Sequence, residues 1–275
     1  MGAHAVSLGD RLLRPRRVRH FEESLPDGAT TTVYVASYPR RGTRVRVVAL
    51  DRPEPLHRWA RQAGIADALS GGFYVGGGTP LGELHSDGNV HMAVPFESPW
   101  DASRSCLSVI GGDVEIVPRG VLPNRARGDL LQAGPLLVAN GRALIADARG
   151  RADARSTADA RSTADARDPQ GFSAAAAQFD CDITEGRHPR AAFGIARDRY
   201  LAVVCDGRSI RDAGMTLGEL SRLMVDLGAD TALNLCGGAS ASLVSGSALH
   251  NRPRDQNGVS LLGGRPVASA IVFER

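Results

Sequence analysis

The stretch Thr231-Ala232-Leu233-Asn234-Leu235-Cys236-Gly237-Gly238-Ala239-Ser240 is a short apolar run that breaks into glycines. It reads as a buried strand over residues 231–235 that feeds a tight loop. Glycines let a backbone approach a ligand closely. Successive N–H groups in such a loop make a cradle for an anion, and the hydroxyls of Ser240 and Ser242 add donors. On its own the pattern is also that of a plain turn after a strand. Upstream, residues 216–227 show the chain's clearest helical stripe, with Leu217, Leu220, Leu223, Met224 and Leu227 on one face. Thr216 and Glu219 have the spacing of a capping box, and Gly228 ends the pattern. Before that helix, residues 191–195 and 200–205 read as a hairpin across Arg197-Asp198-Arg199, closed by Asp206-Gly207-Arg208. After the loop, strands are expected at 242–244 and 266–273.

The first half of the chain is read in the same way. Strands are expected at 31–37 and 44–50, with Pro53 and Pro55 breaking the second. Residues 56–69 read as a helix, with Leu56, Trp59, Ala60, Ala63 and Ala68 near one face. A glycine turn, Ser70-Gly71-Gly72-Phe73-Tyr74, follows. Further strands are expected at 90–96, 105–110 and 113–117, the last two joined by Gly111-Gly112. Another hairpin spans 134–142, where Asn140-Gly141 suits a type I′ turn. Residues 147–170 differ in kind: the hexad Ala-Asp-Ala-Arg-Ser-Thr begins at Ala152 and Ala158, and a truncated copy begins at Ala164. Without large apolar side chains this segment buries too little to fold alone, so it reads as a surface loop. Residues 1–30 read as a basic N-terminal tail, and 31–275 as a single domain.

Bulk composition narrows the function classes. The 275 residues are 43% hydrophobic and only 5% aromatic, with 32 glycines. All 33 basic residues are arginine, and the formal charge is +3. An all-arginine inventory alongside abundant alanine and glycine matches the codon bias of a GC-rich, bacterial genome, so the basic run at 11–19 reads as a solvated tail and no nucleic-acid partner is expected. No stretch approaches a membrane span, and no membrane partner is expected. No apolar segment follows the first N-terminal charges, so the reading predicts no signal peptide and a cytoplasmic location. Cys106, Cys181, Cys205 and Cys236 show no CxxC spacing, and thiols rather than disulfides are expected. There is no HxH, HExxH or Cys/His cluster, so no transition-metal site is expected, and nothing names a cofactor. His85 and His91 flank the turn at Asp87-Gly88 and are expected to be exposed.

The segment between Arg190 and Ala270 carries a series of short motifs. They are Arg190-Ala191-Ala192-Phe193-Gly194-Ile195, Asp206-Gly207-Arg208, Gly214-Met215-Thr216-Leu217-Gly218-Glu219-Leu220 and Leu227-Gly228-Ala229. The quoted glycine loop, Arg252-Pro253 and Arg265-Pro266-Val267-Ala268 complete the order. This order resembles the phosphodiester glycosidase family, which includes the uncovering enzyme that removes N-acetylglucosamine from mannose 6-phosphate diesters. Ser70–Tyr74 looks like that family's Asn-Gly-Gly-Phe-Phe turn, and 134–142 like its Gly-Pro-Leu-Leu hairpin. The chain departs from the family pattern at Cys236, where Asp is usual, at Ala239 in place of a third glycine, and at Ser70 in place of Asn.

The resemblance places the functional centre around the glycine loop. Candidate catalytic residues are Cys236, Asp206 and His188. Candidate substrate-binding residues are Arg190, Asn234, Gly237, Gly238, Ser240, Arg252, Arg265, Ser70, Gly71 and Gly72. Glycosyl transfer to water needs a base or nucleophile on the sugar. A phosphate leaving group needs positive charge, which Arg190, Arg252 and Arg265 can supply through bidentate forks. Asp206 is read as acid, base or metal ligand, or else as a turn residue bonding the backbone of Gly207 or Arg208. Cys236 is read as a thiolate nucleophile or as a small buried hydrophobe. Glu219 is read as a helix cap, and Cys205 as core. The fold expected from the resemblance is α+β: a mixed, mostly antiparallel sheet with a few packed helices. The expected function is a glycosidase-like enzyme that cleaves or transfers a glycosyl group at a sugar phosphate or phosphodiester, in bacterial metabolite biosynthesis. The alternative is an inactive member that binds a phosphosugar or nucleotide. The expected partner is a small-molecule glycosyl phosphate or phosphodiester, and the sequence leaves the oligomeric state open.

Overall fold

The computed structural model describes residues 18–98, 100–124, 127–145 and 186–275. The segment 147–170, Cys181 and the first 17 residues of the basic tail lie outside the described residues. In chain order the first ten strands are β1 (Arg19–Ser24), β2 (Thr30–Pro39), β3 (Arg44–Glu54), β4 (Ala68–Ser70), β5 (Phe73–Tyr74), β6 (Pro80–Leu81), β7 (Leu84–Ser86), β8 (Asn89–His91), β9 (Ser105–Ile110) and β10 (Asp113–Pro118). The rest are β11 (Asp129–Gln132), β12 (Leu136–Ala139), β13 (Arg142–Ala143), β14 (Arg190–Ala196), β15 (Arg199–Cys205), β16 (Ala229–Asn234), β17 (Leu243–Ser245), β18 (Ala248–Leu249) and β19 (Val267–Glu274). Among the described residues the α-helices are α1 (Leu56–Gln62), α2 (Trp100–Ser103) and α3 (Leu217–Asp226).

The first sheet runs β1-β2-β15-β14-β16-β12-β13, the second β10-β9-β11-β7-β8 and the third β18-β17-β4-β19-β3. β5 and β6 form a small ribbon. The centre of the first sheet is β14, whose seven residues are all buried. Such a strand has both faces covered, which is why it reads as a continuous small-and-apolar run. Gly194 belongs to that covering: a Cβ there would lie 2.6 Å from the terminal methyl carbon of Met224 on α3. The third sheet alternates between two environments, as a period of two requires. Leu69, Leu243, Ile271 and Phe273 face the main core, whereas Ala68, Val244, Ala270 and Val272 pack with Leu56 and Ala60 of α1.

The fold corrects the α+β expectation. Among the described residues 47% lie in strands and 14% in helices. Every strand ladder among them is antiparallel, so the sheets are not mixed. The architecture is a set of antiparallel sheets with a small helical complement. The helix expected at 56–69 stops at Gln62, because Gly64 adopts a left-handed φ of 69°. Residues 68–70 instead form β4, hydrogen-bonded between β17 and β19. Alanine is common to both readings, so the apolar spacing misled there. β3 runs on through Pro53, which a strand at the edge of its sheet tolerates. β8, Asn89–His91, takes in only Val90 and His91 of the strand expected at 90–96. Residues 19–24, inside the stretch read as tail, pair with β2 as β1.

Other elements match their local signals. Asn140 and Gly141 have φ of 50° and 68°, the two positive values a type I′ turn needs. The capping box on α3 is complete, with Glu219 N donating to Thr216 Oγ1 and Thr216 N donating to Glu219 Oε2. Arg187 also pairs with Glu219 and with Asp27, which ties the approach to β14 to the turn between β1 and β2.

Candidate active site

The antiparallel register of the first sheet gathers distant residues at one edge. Arg190 at the start of β14 pairs with Cys205 at the end of β15, and Ala192 pairs with Asn234 at the end of β16. Cys205 in turn pairs with Val33 near the start of β2. The loops after β15 and β16 and the segment before β14 therefore emerge together. The third sheet closes the arrangement: Cys236 N donates to Gly71 O, and Ser70 N donates to Ser242 O.

The glycine loop sits in this seam and is held from several sides. Gly238 N donates to Pro189 O at 2.8 Å. A Cβ at Gly237 would lie 2.9 Å from that same carbonyl, so a side chain there would push the loop off its anchor. Gly71 has less room still: its Cβ would lie 2.4 Å from Ser269 Oγ and 2.8 Å from the Ser269 carbonyl carbon. Asn251 braces the loop's far end, accepting from Leu243 N and donating to Ala241 O. Arg265 N donates to Ala239 O.

Two side-chain groups flank the loop. In the first, the Tyr74 hydroxyl lies 2.6 Å from Ser240 Oγ, with Cys236 and Arg265 as its electrostatic neighbours. Burial, reinforced by Cys236, pushes the Tyr74 phenol well above its ordinary range. In the second, Asp206 Oδ1 accepts from Arg252 N at 2.8 Å and Oδ2 accepts from Tyr34 OH at 3.1 Å. Burial drives the Asp206 carboxyl up to about 6, against the stabilising pull of those two donors and despite the nearby Arg252 charge. Arg208 links the two groups. Its backbone has a φ of 62°, and its guanidinium lies 3.2–3.5 Å from where a Gly238 Cβ would stand. A non-glycine residue held in that region is a mark of local over-determination, often found at working sites.

All the expected site residues are described, and they do not all face the loop in the same way. Arg190 is 1% exposed, and its guanidinium donates to Met215 O and Gly186 O. Its stem reaches beneath Gly237, so it supports the loop from below. Ser70 Oγ accepts from Ser242 N, a bond within the scaffold. Asn234 Nδ2 donates to Gly134 O, while its Oδ1 is buried without a hydrogen-bond partner. Ser242 Oγ is in the same condition. Both atoms keep their acceptor capacity open beside the loop. His188 pairs through its backbone with Met215, and its Nε2 lies 3.9 Å from a Cβ position at Gly186. Arg252 and Arg265 are exposed at the rim. Asp206 bonds across to Arg252 and not to its own turn.

Sequence reasoning missed three residues here: Tyr34, Tyr74 and Arg208. Tyr74 and Arg208 each stand at the end of a quoted motif, two residues past a glycine pair and directly after Asp206-Gly207, which was the available signal. Tyr34 lies in mid-strand and had none. Cys205 is core, and burial pushes its thiol up to about 12. His85 is corrected: it is 2% exposed, with Nε2 2.8 Å from Glu83 Oε1. Its partner Glu83 lines a groove of about 510 Å3 on the second sheet, with Phe96, Arg119 and Gln132 among others; no residue of the glycine loop lines that groove.

The glycine loop, the exposed Arg252 and Arg265 and the buried Asp206 carboxyl thus meet at one edge of the first sheet. The sequence profile of the phosphodiester glycosidase family matches residues 63–274. The chain belongs to that family. Its fold is shared with the zebrafish N-acetylglucosamine-1-phosphodiester alpha-N-acetylglucosaminidase catalytic domain, auto-inhibited by its pro-peptide, at a TM-score of 0.65 and 14% identity over 94% of this chain and 82% of that one. A hypothetical protein from Synechocystis is similar at a TM-score of 0.59 and 18% identity, covering 93% of this chain and 61% of that one. A candidate exported protein from Burkholderia pseudomallei K96243 is similar at 0.59 and 14%, covering 92% and 75%. No curated protein matches the chain.

Proposed function

We propose that this protein hydrolyses a glycosyl phosphodiester, with the glycine loop and arginine rim holding the phosphate and Asp206 activating water. The observation that carries the reading is the convergence of Asp206, held near a pKa of about 6, with Arg208, Arg252 and Arg265 around one loop. The departing group is a phosphate monoester dianion, whose conjugate acid has a pKa of about 6, so it leaves with little help from an acid. Its developing charge needs cations and N–H donors, which the loop and the arginines provide. The demanding step is attack by water at the anomeric carbon, and that needs a base. The Asp206 carboxylate has about four acceptor positions. Arg252 N and Tyr34 OH take two of them, which leaves capacity for a water proton.

The test uses an N-acetylglucosamine-1-phosphate methyl diester, a simple form of the group named for the zebrafish relative. Release of the free sugar and methyl phosphate by the wild type, lost in Asp206→Asn with the fold retained, supports the reading. Equal rates for the two proteins would sink it. A second reading, a member that binds phosphosugars without cleaving them, has one observation behind it: Cys236 stands where the family pattern has a carboxylate. Tight binding of the diester with no turnover by the wild type would select that reading.

A further inference from the structure

Turns ordinarily carry Gly, Asn, Asp or Ser at their tips, because those residues suit the backbone and tolerate water. Two turns around the glycine loop carry aliphatic tips instead, and an aliphatic residue closes a third. Ile210 stands in the turn Ser209–Asp212, which is closed by Ser209 N to Asp212 O and by Asp212 N to Ser209 Oγ. Val259 ends the turn that Asp255 closes through its carboxylate and backbone. Leu262 stands in the turn closed by Gly264 N to Leu261 O. Ile210 and Leu262 are fully exposed, and Val259 is 59% exposed. The other large exposed hydrophobics among the described residues, Val90, Met92, Ile110 and Val121, belong to the second sheet and its connections.

The three turns are fixed to the candidate site. Arg208 Nη1 donates to Arg254 O, and Arg208 O lies 2.7 Å from a Gly258 Cβ position, which joins the Ile210 and Val259 turns. The Leu262 turn runs directly into Arg265, whose N–H holds Ala239 O. Aliphatic side chains thus border the same rim that carries Arg208, Arg252 and Arg265. A rim of cations edged by aliphatic side chains complements an amphiphile with a phosphate at its head.

We propose that Ile210, Val259 and Leu262 form an apolar collar that receives the chain of a long aliphatic alcohol, esterified as the second arm of the glycosyl phosphodiester. The inference rests on the hydrolase reading above and narrows its substrate class. Each methylene withdrawn from water is worth about fourfold in affinity, so burial of only two of a chain's methylenes gives more than about tenfold.

The experiment compares methyl and decyl diesters of N-acetylglucosamine 1-phosphate, below the micelle concentration, with the wild type and an Ile210→Ser, Val259→Ser, Leu262→Ser triple variant. The expected result is a KM for the decyl diester at least about tenfold below that for the methyl diester in the wild type, a ratio that collapses in the triple variant. Turnover of the methyl diester stays the same in both proteins. Hydrolysis of both diesters with equal KM overturns the collar and leaves the hydrolase reading standing. If neither diester is cleaved, the hydrolase reading fails, and thermal-shift affinities for the same two diesters then decide the collar by the same ratio. Equal affinities together with sedimentation on phosphatidylcholine vesicles, lost in the triple variant, would assign these residues to a membrane surface and overturn the proposal.

Discussion

Asp206 is costly to keep charged. Its folded pKa of about 6 lies above the ordinary 3.8, so its contribution to stability is present below the unfolded value and is lost as pH rises through the folded one. Asp206→Asn removes that loss while keeping an acceptor for Arg252 N. The variant is expected to melt higher than the wild type at pH 8, by a free energy of up to about 3 kcal/mol, and to match it near pH 3.5. Equal melting at pH 8 would mean that the carboxylate is not strained by burial. Cys236 is a separate matter at the same scale. It is buried beside Tyr74, and the proposed base lies elsewhere. Cys236→Ser is therefore expected to keep kcat within about tenfold of the wild type, a barrier change near 1.4 kcal/mol. A loss of several orders of magnitude, with a trapped covalent adduct on the wild-type thiol, would make Cys236 the nucleophile.

At the level of elements, the local chemistry was largely legible. The capping box of α3, the Asn140-Gly141 turn and the β14–β15 hairpin follow from residues adjacent in sequence. What was not legible depends on contacts made at a distance. Residues 68–70 are a strand because β17 and β19 flank them, and nothing in an alanine-rich run announces that. Pro53 sits inside β3 because its strand ends the sheet, a fact of topology. The β4–β5 connection is the tightest of these long-range fits. Gly71→Ala is expected to cost about 1–3 kcal/mol, since the added carbon meets the Ser269 backbone as well as its hydroxyl, and the backbone cannot swing aside. Denaturant unfolding measures this directly; an unchanged midpoint would show that the seam can open without cost.

Across the whole molecule, the site is a product of register. Asp206, Asn234 and Arg190 come from three antiparallel neighbours, Tyr74 from the β5–β6 ribbon and Gly71 from the connection between β4 and β5. Motif order pointed to the glycine loop and to most of its surroundings. Tyr34, whose hydroxyl meets Asp206 from mid-strand, could be found only once β2 was seen to flank β15. Under the proposed mechanism Asp206 works as a base at this edge. The most direct test is the pH dependence of kcat/KM on the methyl diester. The expected rate rises with pH through about 6 and loses that limb in Asp206→Asn. A rate that falls through the same range, or a limb that survives the substitution, would contradict it.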